Sequence, residues 1–398
     1  MRAITILITL FITLNPLFLL AQDTTLSRDY SIGIYNQLDL RNTASNGVTV
    51  NRVLHDGFRK HVKPQLSNKL GNISYAIFSF ASTYMTMVWS HEFGHSLRAK
   101  QVGGNFKIHN GKLPIPYATM HLPSDISYHN EALSVTGGFE VNYLNVRSLQ
   151  QQFVSEGGLY NEDLAYSFAN RMMYTIYTSL IVPIDPEDPD VWINTAGDPV
   201  HCILPVFKAY SNNQIIMPDS SVNPDLVSYY QQSAILGTFF NLLDINFYSE
   251  VAGAFGNINK KRTPKFLIGD DKNGWTYGTL YNVSPLGYEL YLTNYLHLKG
   301  NQFMIYGRYG KPFKNNGLGV RWNNMIEGKR LNMAAQLDAW SQDIYDSGLS
   351  AEVQSSIRLG SKVSIDATAG YKTKGYVLGK QINAGFTAGV GFTIHSSY

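Results

Sequence analysis

AGFTAGVGFTIH, residues Ala384–His395, alternates without a break. Ala384, Phe386, Ala388, Val390, Phe392 and Ile394 fall on one side, and Gly385, Thr387, Gly389, Gly391, Thr393 and His395 on the other. A period of two is the repeat of a β-strand with two unlike faces. Working backwards, Val363, Ile365, Ala367, Ala369 and Tyr371 oppose Ser364, Asp366, Thr368, Gly370 and Lys372. Before them, Leu349, Ala351, Val353, Ser355, Ile357 and Leu359 oppose Ser350, Glu352, Gln354, Ser356 and Arg358. About eight such segments, separated by turn signals, fit between Trp275 and Tyr398.

Strands of this length with one apolar face are what a transmembrane β-barrel needs. A soluble antiparallel sheet packed by one face on another domain gives the same pattern. Tyr398 ends the chain on the parity of the apolar face, and so resembles the C-terminal assembly signal of bacterial outer-membrane barrels. That favours the barrel.

Composition agrees with burial or a membrane. Of 398 residues only 15% are charged and 13% are aromatic, with 26 Tyr and 34 Gly. Ordinary chains carry about 25% charged residues. Such a chain is not intrinsically disordered. Cys202 is the single cysteine, which excludes a disulfide framework and a Cys-rich zinc site. The net charge of +3 is too small for a polyanion binder, so no nucleic-acid partner is expected. At Arg2 a basic residue precedes an uncharged run, Ala3–Leu20, followed by Ala21 and Gln22. This reads as a signal peptide over residues 1–21, with export to the outer membrane or periplasm of a Gram-negative bacterium. An uncleaved anchor is the alternative.

The remaining chain divides at a charged, turn-rich stretch, Lys260–Lys272. Residues 22–258 read as a mainly helical domain and 259–398 as the β-rich one, an α+β chain. Tyr30–Leu40 reads as one strand. Asn72–Ser90 carries no charge, but its Ser, Thr and Tyr make it as good a buried helix as a membrane span. Further low-charge helical stretches run over Ala132–Val146, Leu164–Val182 and Leu226–Leu243. A Pro-rich acidic loop with Asp185, Glu187, Asp188, Asp190 and Asp198 lies between the last two. It lacks EF-hand spacing and reads as solvated.

The residues that carry chemistry are His91-Glu92-Phe93-Gly94-His95. Histidines at i and i+4 share one helix face and can reach one ion. Zinc accepts such nitrogen ligands, and Glu92 stands where it can take a proton from a zinc-bound water. Gly94 lets another backbone approach. HEFGHSLRA, His91–Ala99, with Gly103-Gly104 and Gly137-Gly138-Phe139-Glu140, resembles the HExxH zinc metallopeptidases, nearest the site-2-protease-like membrane family. The resemblance implies a helical zincin-like domain and a Zn2+-dependent peptidase at a membrane, with protein or peptide substrates. The family's usual Asp-Gly segment is absent; Asn241-Leu242-Leu243-Asp244 echoes it in part.

A third ligand must then be chosen. Glu140 is the only acidic residue from Ala132 to Val146, and a buried carboxylate needs a cation. It is the first choice, opposed by pairing with Arg147 or Arg171. Asp244 comes next, then His121 or His129. Asn142 is a candidate to orient a ligand or to pack as a plain amide. A tyrosine is a candidate oxyanion donor, but none of the 26 stands out. Cys202 reads as a buried apolar residue rather than a nucleophile. The expected activity is zinc-dependent peptide hydrolysis with His91, His95 and Glu140 on the metal and Glu92 as base. The rival is a non-catalytic barrel or surface protein with a structural metal.

Overall fold

The computed structural model describes residues 27–36, 38–110, 116–178, 198–212, 217, 222–256 and 260–397. The signal segment, the loop from Pro183 to Asp190 and Tyr398 lie outside the described residues.

The alternating segments form eight antiparallel strands: β7 (Gly274–Ser284), β8 (Gly287–Leu298), β9 (Asn301–Pro312), β10 (Asn315–Glu327), β11 (Leu331–Gln342), β12 (Asp346–Arg358), β13 (Val363–Lys372) and β14 (Gly385–Ser397). Each pairs with the next in sequence. Two more join them. The short β6 (Ile268–Gly269) flanks β7, and β1 (Ser27–Tyr35), from the far end of the chain, pairs with β14 from Ser27↔Ser397 to Tyr35↔Gly389. The result is one sheet of 10 strands whose end strands, β1 and β6, do not pair, so the barrel does not close through strands.

Among the described residues, seven helices accompany it: α1 (Leu40–His61), α2 (Asn68–Gln101), α3 (Tyr128–Ser155), α4 (Asn161–Ile176), α5 (Asp198–Tyr210), α6 (Pro224–Leu243) and α7 (Phe247–Ala254). Local chemistry sets their ends. Asp39 accepts from the Arg41 amide at the start of α1, and Asn223 from the Asp225 amide at the start of α6, with Pro224 in the first turn. Gly103 at φ +81° lets the chain turn sharply after α2, with Arg98 and Lys100 in the helix's last turn. Outside the main sheet, β2 (Asn105–Asn110) and β3 (Pro116–His121) form a hairpin, and the short β4 (Leu159–Tyr160) pairs with β5 (Lys261–Arg262).

The sheet is inverted relative to a soluble one: its polar face looks inward onto the helices and its apolar face looks out. On the outside, Phe386 is 73% exposed, Val390 68% and Leu349 65%, and Leu292, Leu318, Leu337 and Ile365 are exposed with them. On the inside, Glu289, Tyr291, Tyr306, Asp338 and Glu352 are buried. The Arg147 guanidinium of α3 lies 4.1 Å from the centre of the Tyr306 ring, and Arg41 of α1 donates to Glu352 at 2.7 Å. The apolar face of the sheet therefore does not rest on the helices.

α3 is the axis of the assembly. Every residue from Ala132 to Val146 is buried, the signature of a helix surrounded on all sides. At its start Leu133 clusters with Leu286, Tyr345, Tyr376 and Ile382 of the strand ends, and at its finish the Ser155 carbonyl accepts from Gln302. The principal core joins Leu40, Phe139, Val141 and Leu204 of the helices to Tyr291, Met304 and Tyr306 of the strands. The helical and β-rich segments thus share one core.

Helix side chains cap part of the sheet's open edges, on β1 and on the stretch of β7 that the short β6 leaves unpaired. Along β1, Thr49 exchanges hydrogen bonds with the amide and carbonyl of Ser31, Asn46 does the same with Gly33, and Arg52 donates to the Asp29 carbonyl. At three-residue spacing these groups form one face of α1. Along β7, Asp244 accepts from the Thr279 amide, Arg171 donates to the Thr279 carbonyl and Asn246 to that of Tyr277. Unpaired strand edges are costly, most of all away from water, and here side chains satisfy them.

Candidate metal centre

The motif places His91 and His95 on α2, where it crosses α3 at very close range. The crossing needs three glycines. A Cβ on Gly94 would come 2.7 Å from the Gly137 carbonyl carbon and closer still to its oxygen, and a Cβ on Gly137 would come 2.5 Å from the Gly94 oxygen. The third, Gly138, faces the histidines. A Cβ there would stand 2.5 Å from His95 Nε2 and closer to His91 Nε2.

Both imidazoles are buried and held from behind. His91 Nδ1 donates to Asn142 Oδ1 at 2.7 Å, and His95 Nδ1 to the Ser134 carbonyl at 3.1 Å. The Asn142 amide nitrogen donates in turn to Asn170 Oδ1, which leaves its oxygen for His91. Protons fixed on Nδ1 leave the Nε2 lone pairs free, the arrangement in which histidine binds metals. The two Nε2 atoms face each other at 3.1 Å. Burial pushes the His95 imidazole down to about 4, so it is neutral at pH 7.

Asp198, the first residue of α5, completes the group. Its Oδ2 lies 3.3 Å from His91 Nε2 and 3.9 Å from His95 Nε2, and the three ligand atoms all lie within 4.8 Å of one another. Desolvation opposes ionisation of Asp198, but its close contact with His91 and the nearby histidines hold its carboxyl below the usual range. Its side chain is 39% exposed, so the cluster has an approach from outside. Two imidazoles and a carboxylate are a donor set suited to a divalent ion such as zinc.

Glu92 is buried beside the cluster. Desolvation raises its carboxyl to about 7, partly offset by His91, and it accepts a backbone hydrogen bond from Ala118 of β3. Tyr177, just past α4, is close enough to Asp198 and Glu92 for their charges to add to burial in raising its phenol to about 12. It therefore stays a proton donor.

Glu140 requires a correction. It does not reach the histidines: Arg98 donates to it from Nε at 2.8 Å and Nη2 at 2.5 Å, and the Gly379 amide donates at 2.6 Å. The cation that its burial demanded is Arg98, one turn beyond His95, and the place beside the histidines goes to Asp198. Asp244 is likewise engaged by Arg171, Gln150 and the Thr279 amide at the β7 edge. His121 is exposed at the end of β3, and the His129 ring packs 5.0 Å from that of Phe313. Cys202 is buried, its thiol donating to the Val135 carbonyl.

No family model, curated protein or solved structure matches the chain.

Proposed function

We propose that the chain is a zinc-dependent hydrolase of peptide bonds, with His91, His95 and Asp198 as metal ligands and Glu92 as proton carrier. The observation that carries this reading is the convergence of two back-anchored Nε2 atoms and a carboxylate oxygen at one point, with a buried glutamate next to the first ligand. Bound there, zinc would supply a Lewis acid and bring the pKa of a coordinated water down to about 7. Glu92, on the same helix face, is placed to take a proton from the attacking water and hand it to the leaving amine. Asn142 and the Ser134 carbonyl keep both imidazoles aimed. Tyr177 is the candidate donor to steady charge on the scissile oxygen.

The second element of the proposal is a bilayer seat. Among the described residues no helix is long and apolar enough to cross a membrane. The strands are the spanning elements. β7–β14 run 10 to 13 residues each. At about 3.3 Å per residue and a tilt of about 40°, that covers roughly 25–33 Å. An outward apolar face and an inward polar one suit lipid outside and protein within, and the capped edges remove the usual objection to an open sheet in lipid.

The test is hydrolysis of a casein or peptide-library substrate by detergent-solubilised protein, with and without Glu92→Gln, beside the zinc content of both. Equal zinc and loss of cleavage in the variant support the reading. Equal cleavage in both would overturn it.

A further inference from the structure

The three turns joining β8 to β9, β10 to β11 and β12 to β13 lie at one end of the sheet, two strands apart, or about 10 Å from one to the next. They carry Lys299, then Lys329 and Arg330, then Arg358 and Lys362. All five are exposed, and none of their side chains has a partner among the described residues. The Arg358 amide donates to the Arg330 carbonyl at 2.8 Å, which sets two of the cations side by side.

The neighbours of these turns are the last rungs of the outward apolar face. Leu298, Ile326, Leu331, Ile357 and Leu359 are all exposed beside the cations. Trp275, Phe303 and Trp322 lie near the same end, the rings of Phe303 and Trp322 5.4 Å apart. The acidic groups at this end include Glu327, the Asp270–Asp271 pair beside Lys272, and Asp29 of β1, which pairs with His395. The opposite end is closer to balance, with Lys311, Lys314 and Lys374 against Asp343 and Asp346.

We propose that this rim seats the anionic headgroups of one leaflet, so that the protein prefers acidic lipid and binds it at this end of the sheet. The inference rests on the bilayer seat proposed above. Its physical basis is that cations at a membrane surface gain from negative headgroups, while Trp and Phe favour the interface between headgroup and acyl chain. Unpaired cations bordering an apolar band fit that boundary and give no advantage in plain water.

The experiment reconstitutes the full chain in phosphatidylcholine vesicles and measures quenching of its tryptophans by brominated phosphatidylglycerol and, separately, brominated phosphatidylcholine. We expect both to quench, with phosphatidylglycerol preferred by about fivefold at low salt and less at high salt. Changing all five cations to Gln should bring the ratio below about twofold, while Lys311→Gln with Lys314→Gln should leave it unchanged. Equal quenching by the two lipids in wild type, or a preference that survives the fivefold change, overturns the rim. Failure of either lipid to quench overturns the bilayer seat itself.

Discussion

Gly138→Ala tests the metal geometry with a single methyl group. In an ordinary helix interior this change helps, by about 1 kcal/mol, because alanine is the better helix former. Here the new carbon would stand 2.5 Å from His95 Nε2 and 2.5 Å from His91 Cδ2, about 1 Å inside normal contact. The helices cannot part cheaply, since α2 and α3 are locked at Gly94 and Gly137. The histidines must therefore rotate, giving up the bonds to Asn142 and Ser134. Overpacking of this kind costs about 1–3 kcal/mol, enough to reverse the sign of the helix-propensity gain. Zinc requires both nitrogens at about 2.1 Å, so the affinity should fall by about 100-fold. Competition for zinc against a chromophoric chelator reads the affinity, and far-UV circular dichroism confirms that the helices persist. A Gly138→Ala protein that binds zinc within about threefold of wild type would refute the placement of the two Nε2 atoms.

Other outcomes follow from the same geometry. Glu92→Gln should retain zinc and lose about 10²–10⁴-fold in kcat, since it removes the proton carrier alone. Tyr177→Phe should keep zinc and KM and lower kcat by about 10²-fold; an unchanged kcat would remove the phenol from the reaction. Glu140→Ala leaves Arg98 buried without its carboxylate, and should cost about 3–5 kcal/mol in denaturant unfolding. His55, held neutral by burial to about 4, makes stability depend on pH. Its ordinary value is about 6.5, so the unfolded chain takes up the proton first and stability falls as pH drops from about 6.5 to 4. His55→Gln should flatten that slope in unfolding curves taken at pH 7.5 and 5, and an unaltered slope would place the proton elsewhere.

Much of the architecture was legible because it repeats. Period two over Leu349–Leu359, Val363–Tyr371 and Ala384–Ile394 revealed strands and which side chains share a face, and i, i+4 spacing revealed the His91–His95 pair. What no local pattern could carry was placement across distance. Asp198 follows an acidic loop in which its neighbours look alike, and only the fold brings it to the histidines. The buried Glu140 does take a cation, but it is Arg98, one turn past His95 on the same helix. Tyr177 is one phenol of 26, distinguished only by its neighbours. The edge caps from Asn46, Thr49 and Arg52 are equally silent in sequence, because polar residues on a helix face most often meet water. The strand pattern left open whether the sheet closes, and helices stand where closing strands would be.

The central claim is that His91, His95 and Asp198 hold one metal ion. Elemental analysis of purified wild type, Asp198→Ala and Glu140→Gln, each replenished with zinc and freed of excess, tests it most directly. The account predicts about one zinc per chain in wild type and in Glu140→Gln, and little or none in Asp198→Ala. A full zinc complement in Asp198→Ala, or none in wild type, would contradict it.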